Sequence, residues 1–297
     1  MSLRSLRASQ FVALVAAFAV VALTGCTQRQ EQSQERVAPT NAAGVTDLLS
    51  EVRKRGKLLI STDGNYQPLS FKTPDGAWHG FDIDVGREIA RRLGVQAEFL
   101  DINFDVITGG NWNGRWDLNV NSMSVTRDRQ RVVYFTQPYY YIPASFIVYK
   151  NSSLKTIEAL AGKRIGVGTA TTYQAYLEGH LTLTGENILT PAPAARAVPY
   201  ATDQLGLQDL ALGDGVRLDA VLTSLPFAEY QIRIGQPFRV LGHPVFYEDA
   251  AIAIDKNSPL DPKRFYQTVE QAVSDMHKDG TLSRLSRQDF GVDLTHK

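Results

Sequence analysis

The stretch Gly80–Gly94, GFDIDVGREIARRLG, predicts the kind of fold more clearly than any other part of the chain. Val85, Ile89 and Leu93 recur every four residues, which places their side chains on one face of a helix. Asp82 near the start suits the positive end of the helix dipole, and the closing glycine suits a left-handed C-terminal cap. The stretch therefore predicts an amphipathic helix with one face buried against a core.

Short apolar runs on both sides of this helix predict strands that alternate with further helices. The predicted strands are Lys57–Thr62, Val95–Ile102, Arg164–Gly168 and Leu218–Thr223. The other predicted helices are Thr46–Gly56, Thr171–His180 and Ser224–Ile232. Asp63–Phe71 is predicted as a loop, and Thr184–Asp203, which is rich in Pro and Ala, as a surface excursion. This alternation is typical of an α/β fold with mostly parallel sheets.

Composition narrows the class of protein. A chain of 297 residues with 43% hydrophobic residues is long enough for about two packed domains. Lys plus Arg and Asp plus Glu both number 31, so net charge gives no reason to expect a nucleic-acid partner. One cysteine and five scattered histidines show no metal-ligand spacing, so we expect no metal and no other cofactor.

The N-terminus predicts export and a lipid anchor. Two arginines precede the apolar run Phe11–Leu23, which is too short to span a bilayer and suits the core of a signal peptide covering residues 1–25. The following LTGC, ending at Cys26, resembles the lipobox of bacterial lipoproteins; an ordinary secretory signal with a chance cysteine is the alternative. The glutamine-rich residues 26–45 predict a flexible tether. We thus expect a lipid-anchored protein in the periplasm or at the cell surface.

A polar cluster, NSMSVTRDRQ (Asn121–Gln130), predicts an anion site. It brings the hydroxyls of Ser122 and Ser124 close in sequence to Arg129. A planar carboxylate is best met by a guanidinium, which offers two parallel N–H donors where lysine offers a point charge. The alternative is a solvated arginine on a charged surface.

Four segments in order resemble the bacterial extracellular solute-binding proteins of family 3, the polar amino-acid receptors of ABC importers. They are GFDIDVGREIARRL (80–93), SMSVTRDRQRVVYFTQPYY (122–140), GKRIGVGTATTYQAYL (162–177) and KDGTLSRLSRQDFG (278–291). The resemblance implies a two-lobed fold of the type II periplasmic-binding-protein kind, with ligand held between the lobes. It also implies a monomer that delivers its ligand to an ABC permease in the membrane.

The resemblance further implies where the lobes divide. The crossing strands are expected near Ala144–Lys150 and Glu248–Asp255. Lobe 1 would comprise residues 46–145 and 247–297, and lobe 2 residues 146–246.

The same resemblance implies the ligand-binding residues. Arg129 would hold a carboxylate from one lobe, and Thr171 and Thr172 would approach it from the other; simple N-capping is the alternative role for the threonines. The remaining implied residues are the polar Asn121, Ser122 and Ser124, the aromatic Tyr66 and Phe104, and the acidic Asp63. For the aromatic residues, ordinary core packing is the alternative, and for Asp63 it is the capping of a turn.

One position departs from the family. An aspartate that pairs with the ligand's α-ammonium is replaced here by Ser224. Either another acid substitutes, with Asp63, Glu229 and Asp249 as candidates, or the ligand lacks a standard α-amino group.

Two other functions remain open from the sequence. Some relatives are cyclohexadienyl dehydratases, for which Glu229 would be the suspected general acid. A sensor module that presents its ligand to a membrane receptor would use the same pocket.

Overall fold

The computed structural model describes residues 47–184 and 188–296. The predicted signal peptide (1–25), the lipidation site Cys26 and the tether (26–45) lie outside the described residues, so they stay predictions. Within the described ranges, no helix combines the length and apolar character that crossing a membrane requires.

Helices and strands alternate through the described chain. The helices are α1 (Leu48–Arg55), α2 (Phe81–Leu93), α3 (Phe104–Thr108), α4 (Arg129–Val132), α5 (Thr172–Leu177), α6 (Asp203–Ala211), α7 (Leu225–Arg233), α8 (Lys263–Lys278) and α9 (Thr281–Phe290). The strands are β1 (Lys57–Thr62), β2 (Asn65–Tyr66), β3 (Ser70–Lys72), β4 (Trp78–His79), β5 (Gln96–Asp101), β6 (Leu118–Asn119), β7 (Val133–Tyr149), β8 (Arg164–Gly168), β9 (Arg196–Tyr200), β10 (Ala220–Ser224) and β11 (Phe238–Asp255).

Eight strands form one sheet in the order β5-β1-β6-β11-β7-β10-β8-β9. The pairs β1–β5, β1–β6, β10–β8 and β8–β9 are parallel. The long strands β7 and β11 run antiparallel to each other at the centre and connect the two parallel groups. The result is the predicted two-lobed α/β architecture, with β7 and β11 crossing between the lobes.

Helix α2 packs as its sequence predicts. Val85 and Ile89 are fully buried, and Leu93 is nearly so. Full burial of one such side chain contributes about 1.5–3 kcal/mol. Gly86 faces the sheet, where a Cβ would lie 2.9 Å from the ring of Phe99, so only glycine allows this close approach without a shift. The helix ends at Gly94 in the left-handed conformation, with φ 76°.

Two predictions of irregular structure are wrong. The segment predicted as a loop contains β2 and β3, which form a small antiparallel sheet with β4. The predicted surface excursion contains β9, which extends the main sheet by pairing with β8. Pro199, which has no backbone N–H, is tolerated in β9 because this strand lies at the edge of the sheet. On its outer side, β9 has no neighbouring strand to which an N–H group could donate. The sequence does not indicate this strand, because the residues before β9 are rich in proline and alanine.

The other predicted elements form with small shifts at their ends. The two strands β1 and β8 have the predicted bounds. Helix α5 ends at Leu177, three residues earlier than predicted, close to Gly179 in a left-handed conformation. The predicted lobe boundaries fall within or beside β7 and β11 and remain predictions.

Candidate ligand-binding site

A cavity of about 540 Å³, including its open mouth, lies where the two lobes meet. Nine of the ten predicted ligand-binding residues line it: Asp63, Tyr66, Phe104, Asn121, Ser122, Ser124, Arg129, Thr171 and Thr172. The other lining residues are Gly168, Thr169, Tyr173, Ala201, Thr202 and Asp203. Many of these residues directly follow β1, β6, β8 and β9, whose carboxyl ends therefore form the walls, as is usual for ligand sites of α/β sheets.

Arg129, the first residue of α4, reaches across the cavity between the two lobes. Its Nη1 donates to the carbonyl of Ser124 at 2.9 Å, and its Nη2 donates to the carbonyl of Ala170 on the opposite lobe, also at 2.9 Å. The guanidinium lies 5.1 Å from the ring centre of Phe104. Burial lowers the pKa of Arg129 to about 10, so it stays charged at neutral pH. A guanidinium has five N–H donors, so donors remain for a ligand.

Glu248, on β11, joins hydroxyls from both lobes and was not predicted. Its carboxylate accepts from the Ser124 hydroxyl at 2.5 Å and from the Thr172 hydroxyl. Burial raises the pKa of Glu248, whereas the two hydroxyls and Arg129 favour its ionised form. Because each hydroxyl has one proton, those of Ser124 and Thr172 are already engaged, and toward the cavity they present lone pairs.

Ser122 is tied to a buried acid of α2. Its backbone is in the left-handed region, with φ 50°. Its hydroxyl donates to Asp82 at 2.7 Å and accepts from Tyr140 at 2.6 Å, while Tyr139 donates to the second oxygen of Asp82 at 2.6 Å. Burial raises the pKa of Asp82 to about 7. Asp82, an acidic residue of α2, thus orients Ser122 in the cavity wall.

Thr171 has the capping role that the sequence left open. It is the N-cap of α5, accepts from the Gln174 backbone N–H at 3.2 Å and donates to the Gly168 carbonyl at 2.7 Å. Its side chain also lines the cavity, so both roles coincide in one residue.

Ser224 is the one predicted residue that does not line the cavity. It is fully buried, and its hydroxyl lies 2.7 Å from the hydroxyl of Tyr66. The ring of Tyr66 stacks on Phe227, with ring centres 4.7 Å apart. Ser224 therefore affects the cavity only indirectly, through its contact with Tyr66. Tyr66 lines the cavity and belongs to the opposite lobe.

Two acids contribute to the cavity lining. Asp63 accepts from the Asn65 backbone N–H at 2.7 Å, and burial raises its pKa. Asp203, the first residue of α6, is only 8% exposed and accepts from the Thr223 hydroxyl. Burial raises the pKa of Asp203 to about 7.

Sequence reasoning missed Asp203 because it is the last residue of the segment Thr184–Asp203, which is predicted as a surface excursion. The Thr202–Asp203 pair, an N-cap followed by an acid, was the available signal. Of the three acids proposed from the sequence, Asp63 lines the cavity and Glu229 lies in a separate crevice beside Pro226. Asp249 is not among the lining residues.

Across residues 47–184 and 188–296, no three or more His, Cys, Asp or Glu side chains are grouped so that they could hold a metal ion.

Two α/β lobes joined by two long strands, with a polar cavity between them, define a two-lobed binding protein of the type II periplasmic class. The chain belongs to the bacterial extracellular solute-binding proteins, family 3, whose model matches residues 58–292. It is 29% identical over 251 residues to the L-cystine-binding protein TcyJ of Escherichia coli (strain K12), covering 84% of this chain and 88% of that protein.

Solved structures show the same fold. The ancestral amino acid-binding protein AncCDT-1, a precursor of cyclohexadienyl dehydratase, is 28% identical with a TM-score of 0.70, covering 82% of this chain and 99% of that chain. An ancestral arginine-binding protein bound to arginine is also 28% identical, with a TM-score of 0.68 and coverage of 80% and 99%.

Proposed function

We propose that the protein is the solute receptor of an ABC importer and captures an amino acid, or a related small carboxylate, by closing its two lobes. The observation that carries this proposal is Arg129, a buried guanidinium in the cavity that already contacts the opposite lobe at Ala170. A ligand carboxylate held by Arg129 would also meet the start of α5, across the cavity, only when both lobes surround it, so binding would favour the closed form. The amino-acid-binding names of the relatives support the same class of ligand.

The affinity expected of such a receptor is compatible with these contacts. Micromolar binding corresponds to about −8 kcal/mol. A few charge-assisted hydrogen bonds at roughly 1.5–3 kcal/mol each, together with an enclosed side chain, reach that value after the cost of association.

The proposal includes delivery and anchoring. A lipid on Cys26 and the tether at residues 26–45 would hold a monomeric receptor near the membrane that contains its permease. We infer a binding role without catalysis, because AncCDT-1 is described as an amino acid-binding protein despite its place as a precursor of a dehydratase. Glu229 lies outside the cavity, which removes the residue suspected of general acid catalysis.

A thermal-shift screen over amino acids, opines and small carboxylates tests the proposal. A ligand present at a hundred times its dissociation constant should stabilise the fold by about 2.7 kcal/mol. Replacing Arg129 with alanine should remove that shift. A stabilising ligand whose effect is undiminished by Arg129→Ala would contradict the assignment of the anchor. Formation of an aromatic product from prephenate or arogenate would contradict the role as a receptor alone.

A further inference from the structure

Asp203 is a buried acid on the cavity wall, and no cation in the part of the chain that the structure describes is among the groups that act most strongly on it. Within the described chain, the groups that favour its ionised form are the Thr223 hydroxyl and the Gly168 backbone. The nearby charges, Asp63 and Glu248, are also acids and oppose ionisation. A buried carboxylate in such surroundings is costly unless it is protonated or meets a positive charge.

Asp203 lies on the part of the cavity wall that Gly168 and Thr171 also form. A Cβ on Gly168 would lie 2.6 Å from an oxygen of Asp203 and 2.8 Å from the side chain of Thr171, so these two side chains flank one glycine. The residue before Thr171 is Ala170, whose carbonyl accepts from Arg129. The acid and the guanidinium are therefore separated by only a few residues of the same wall.

An α-amino acid has the matching arrangement of charge. Its carboxylate and its ammonium group are bonded to one carbon, so a site that binds both needs a cation and an anion close together. Arg129 and Asp203 line the same cavity and would provide this pair across the ligand. The lone pairs that Ser124 and Thr172 present to the cavity, because their protons point to Glu248, add acceptors for N–H groups.

We propose that Asp203 is the counter-ion of the ligand's α-ammonium group and selects amino acids over carboxylic acids that lack an amino group. The inference rests on the proposed function and specifies its ligand. It answers the question raised by Ser224, because the start of α6 supplies the negative charge that is missing from the end of β10. The two positions are linked, since the hydroxyl of Thr223, the residue before Ser224, donates to Asp203.

Selectivity follows because a carboxylic acid without an amino group would leave Asp203 without a partner. It would bring a second negative charge close to Asp203 and leave that carboxylate without a partner. Sites that hydrogen-bond a substrate group reject analogues lacking it, because their own buried polar groups are then unpaired. We expect at least about tenfold discrimination, which corresponds to about 1.4 kcal/mol.

The experiment compares matched pairs by calorimetry on the folded receptor. The pairs are L-arginine with 5-guanidinopentanoate, and L-histidine with 3-(imidazol-4-yl)propanoate. For wild type, the amino acid of at least one pair should bind at least about tenfold more tightly than its partner. Equal affinity within the pairs would overturn the inference and leave carboxylate capture standing. If wild type binds none of the four compounds, the inference is overturned for these two amino acids, and the thermal-shift screen alone decides the proposed function.

Variants then assign the discrimination to a residue. Asp203→Asn should remove most of the preference for the amino acid: it weakens binding of the amino acid because the ammonium contact is lost, and it leaves the partner acid bound at least as tightly as in wild type because the like charge is gone. Asp209→Asn is the matched control, since Asp209 is on the same helix and pairs with Arg217 outside the cavity. Loss of the preference in Asp63→Asn but not in Asp203→Asn would assign the role to Asp63 and overturn the inference. An equal loss for both compounds in Asp203→Asn would indicate a purely structural role and also overturn it.

Discussion

The hydroxyl of Tyr66 lies 2.7 Å from the hydroxyl of Ser224, so one hydrogen bond joins the two lobes at the edge of the ligand cavity. Tyr66 ends β2, shortly after β1, and Ser224 ends β10; β1 and β10 lie on opposite sides of the central β7–β11 pair. The bond exists only while the lobes are together. Its energy therefore contributes to closure and, through closure, to ligand affinity.

A double-mutant cycle should detect this bond. Tyr66→Phe and Ser224→Ala should each weaken ligand binding by about three- to tenfold, because a neutral hydrogen bond contributes about 0.5–1.5 kcal/mol. The double variant should be hardly weaker than either single variant. Calorimetric titration of the four proteins gives the coupling. Additive losses would show that the two hydroxyls act independently.

Replacing Arg129 with lysine should show whether geometry or charge holds the ligand. Lysine keeps the positive charge but loses the planar pair of donors, and it cannot span both the Ser124 and Ala170 carbonyls in the same way. We expect affinity to fall by about tenfold or more. Arg131→Lys is a control, because Arg131 is exposed and pairs with Asp128. Unchanged affinity in Arg129→Lys would mean that charge alone is sufficient.

Ligand affinity should fall as the pH drops below about 7. Burial, reinforced by Asp63 and Glu248, raises the pKa of Asp203 to about 7, and a proton on Asp203 must leave before an ammonium group can pair with it. For one such proton the affinity decreases about tenfold per pH unit well below that pKa. Titrations between pH 5 and 8 measure this slope. In Asp203→Asn the slope should flatten; an equally steep slope would assign it to another group.

The ligand-free protein should become less stable as the pH rises, whereas a protein with salt-bridged acids becomes more stable. Burial raises the pKa of Asp82 to about 7 from its usual value of 3.8, so between these values the folded state holds a proton that the unfolded state releases. The contribution of Asp82 is therefore fully present below pH 3.8 and is lost as pH rises through 7. Its slope is at most about 1.4 kcal/mol per pH unit.

Urea unfolding between pH 5 and 8 checks this behaviour. The free energy of unfolding should increase as the pH is lowered, and Asp82→Asn should make the dependence shallower. The wild-type curve also includes Asp203, so the difference between the two proteins is the relevant quantity. Parallel curves would show that Asp82 does not titrate in this range.

Much of the fold follows from local patterns in the sequence. The periodicity of α2 and the apolar runs of β1 and β8 arise from side chains that must face the core, so they are visible without tertiary information. Strand β9 is different, because it is held by pairing with β8 along its length and its own sequence contains a proline. Short strands such as β2 and β3 likewise depend on partners that the sequence does not identify.

The residues of the site likewise fall into those that the sequence identifies and those that it does not. Residues such as Arg129 and Thr172 stand in stretches with a recognisable arrangement, and the structure brings them together in one cavity. Glu248 lacks such a pattern and Asp203 has only the capping signal of Thr202, since their importance comes from burial beside residues distant in sequence. Ser224 shows the converse, because its sequence position suggested direct contact and its hydroxyl instead reaches Tyr66.

The two long central strands have a mechanical consequence. Strands β7 and β11 are hydrogen-bonded neighbours, so any swing of one half of the molecule must flex both strands as a single ribbon. Their ladder is already interrupted between Leu241 and Phe246 and between Ala250 and Ala251, where bending breaks the fewest bonds. Bending there would move the two halves relative to each other, and the irregularity at Ala250 lies directly beside the cavity, because Ala250 pairs with Ser124.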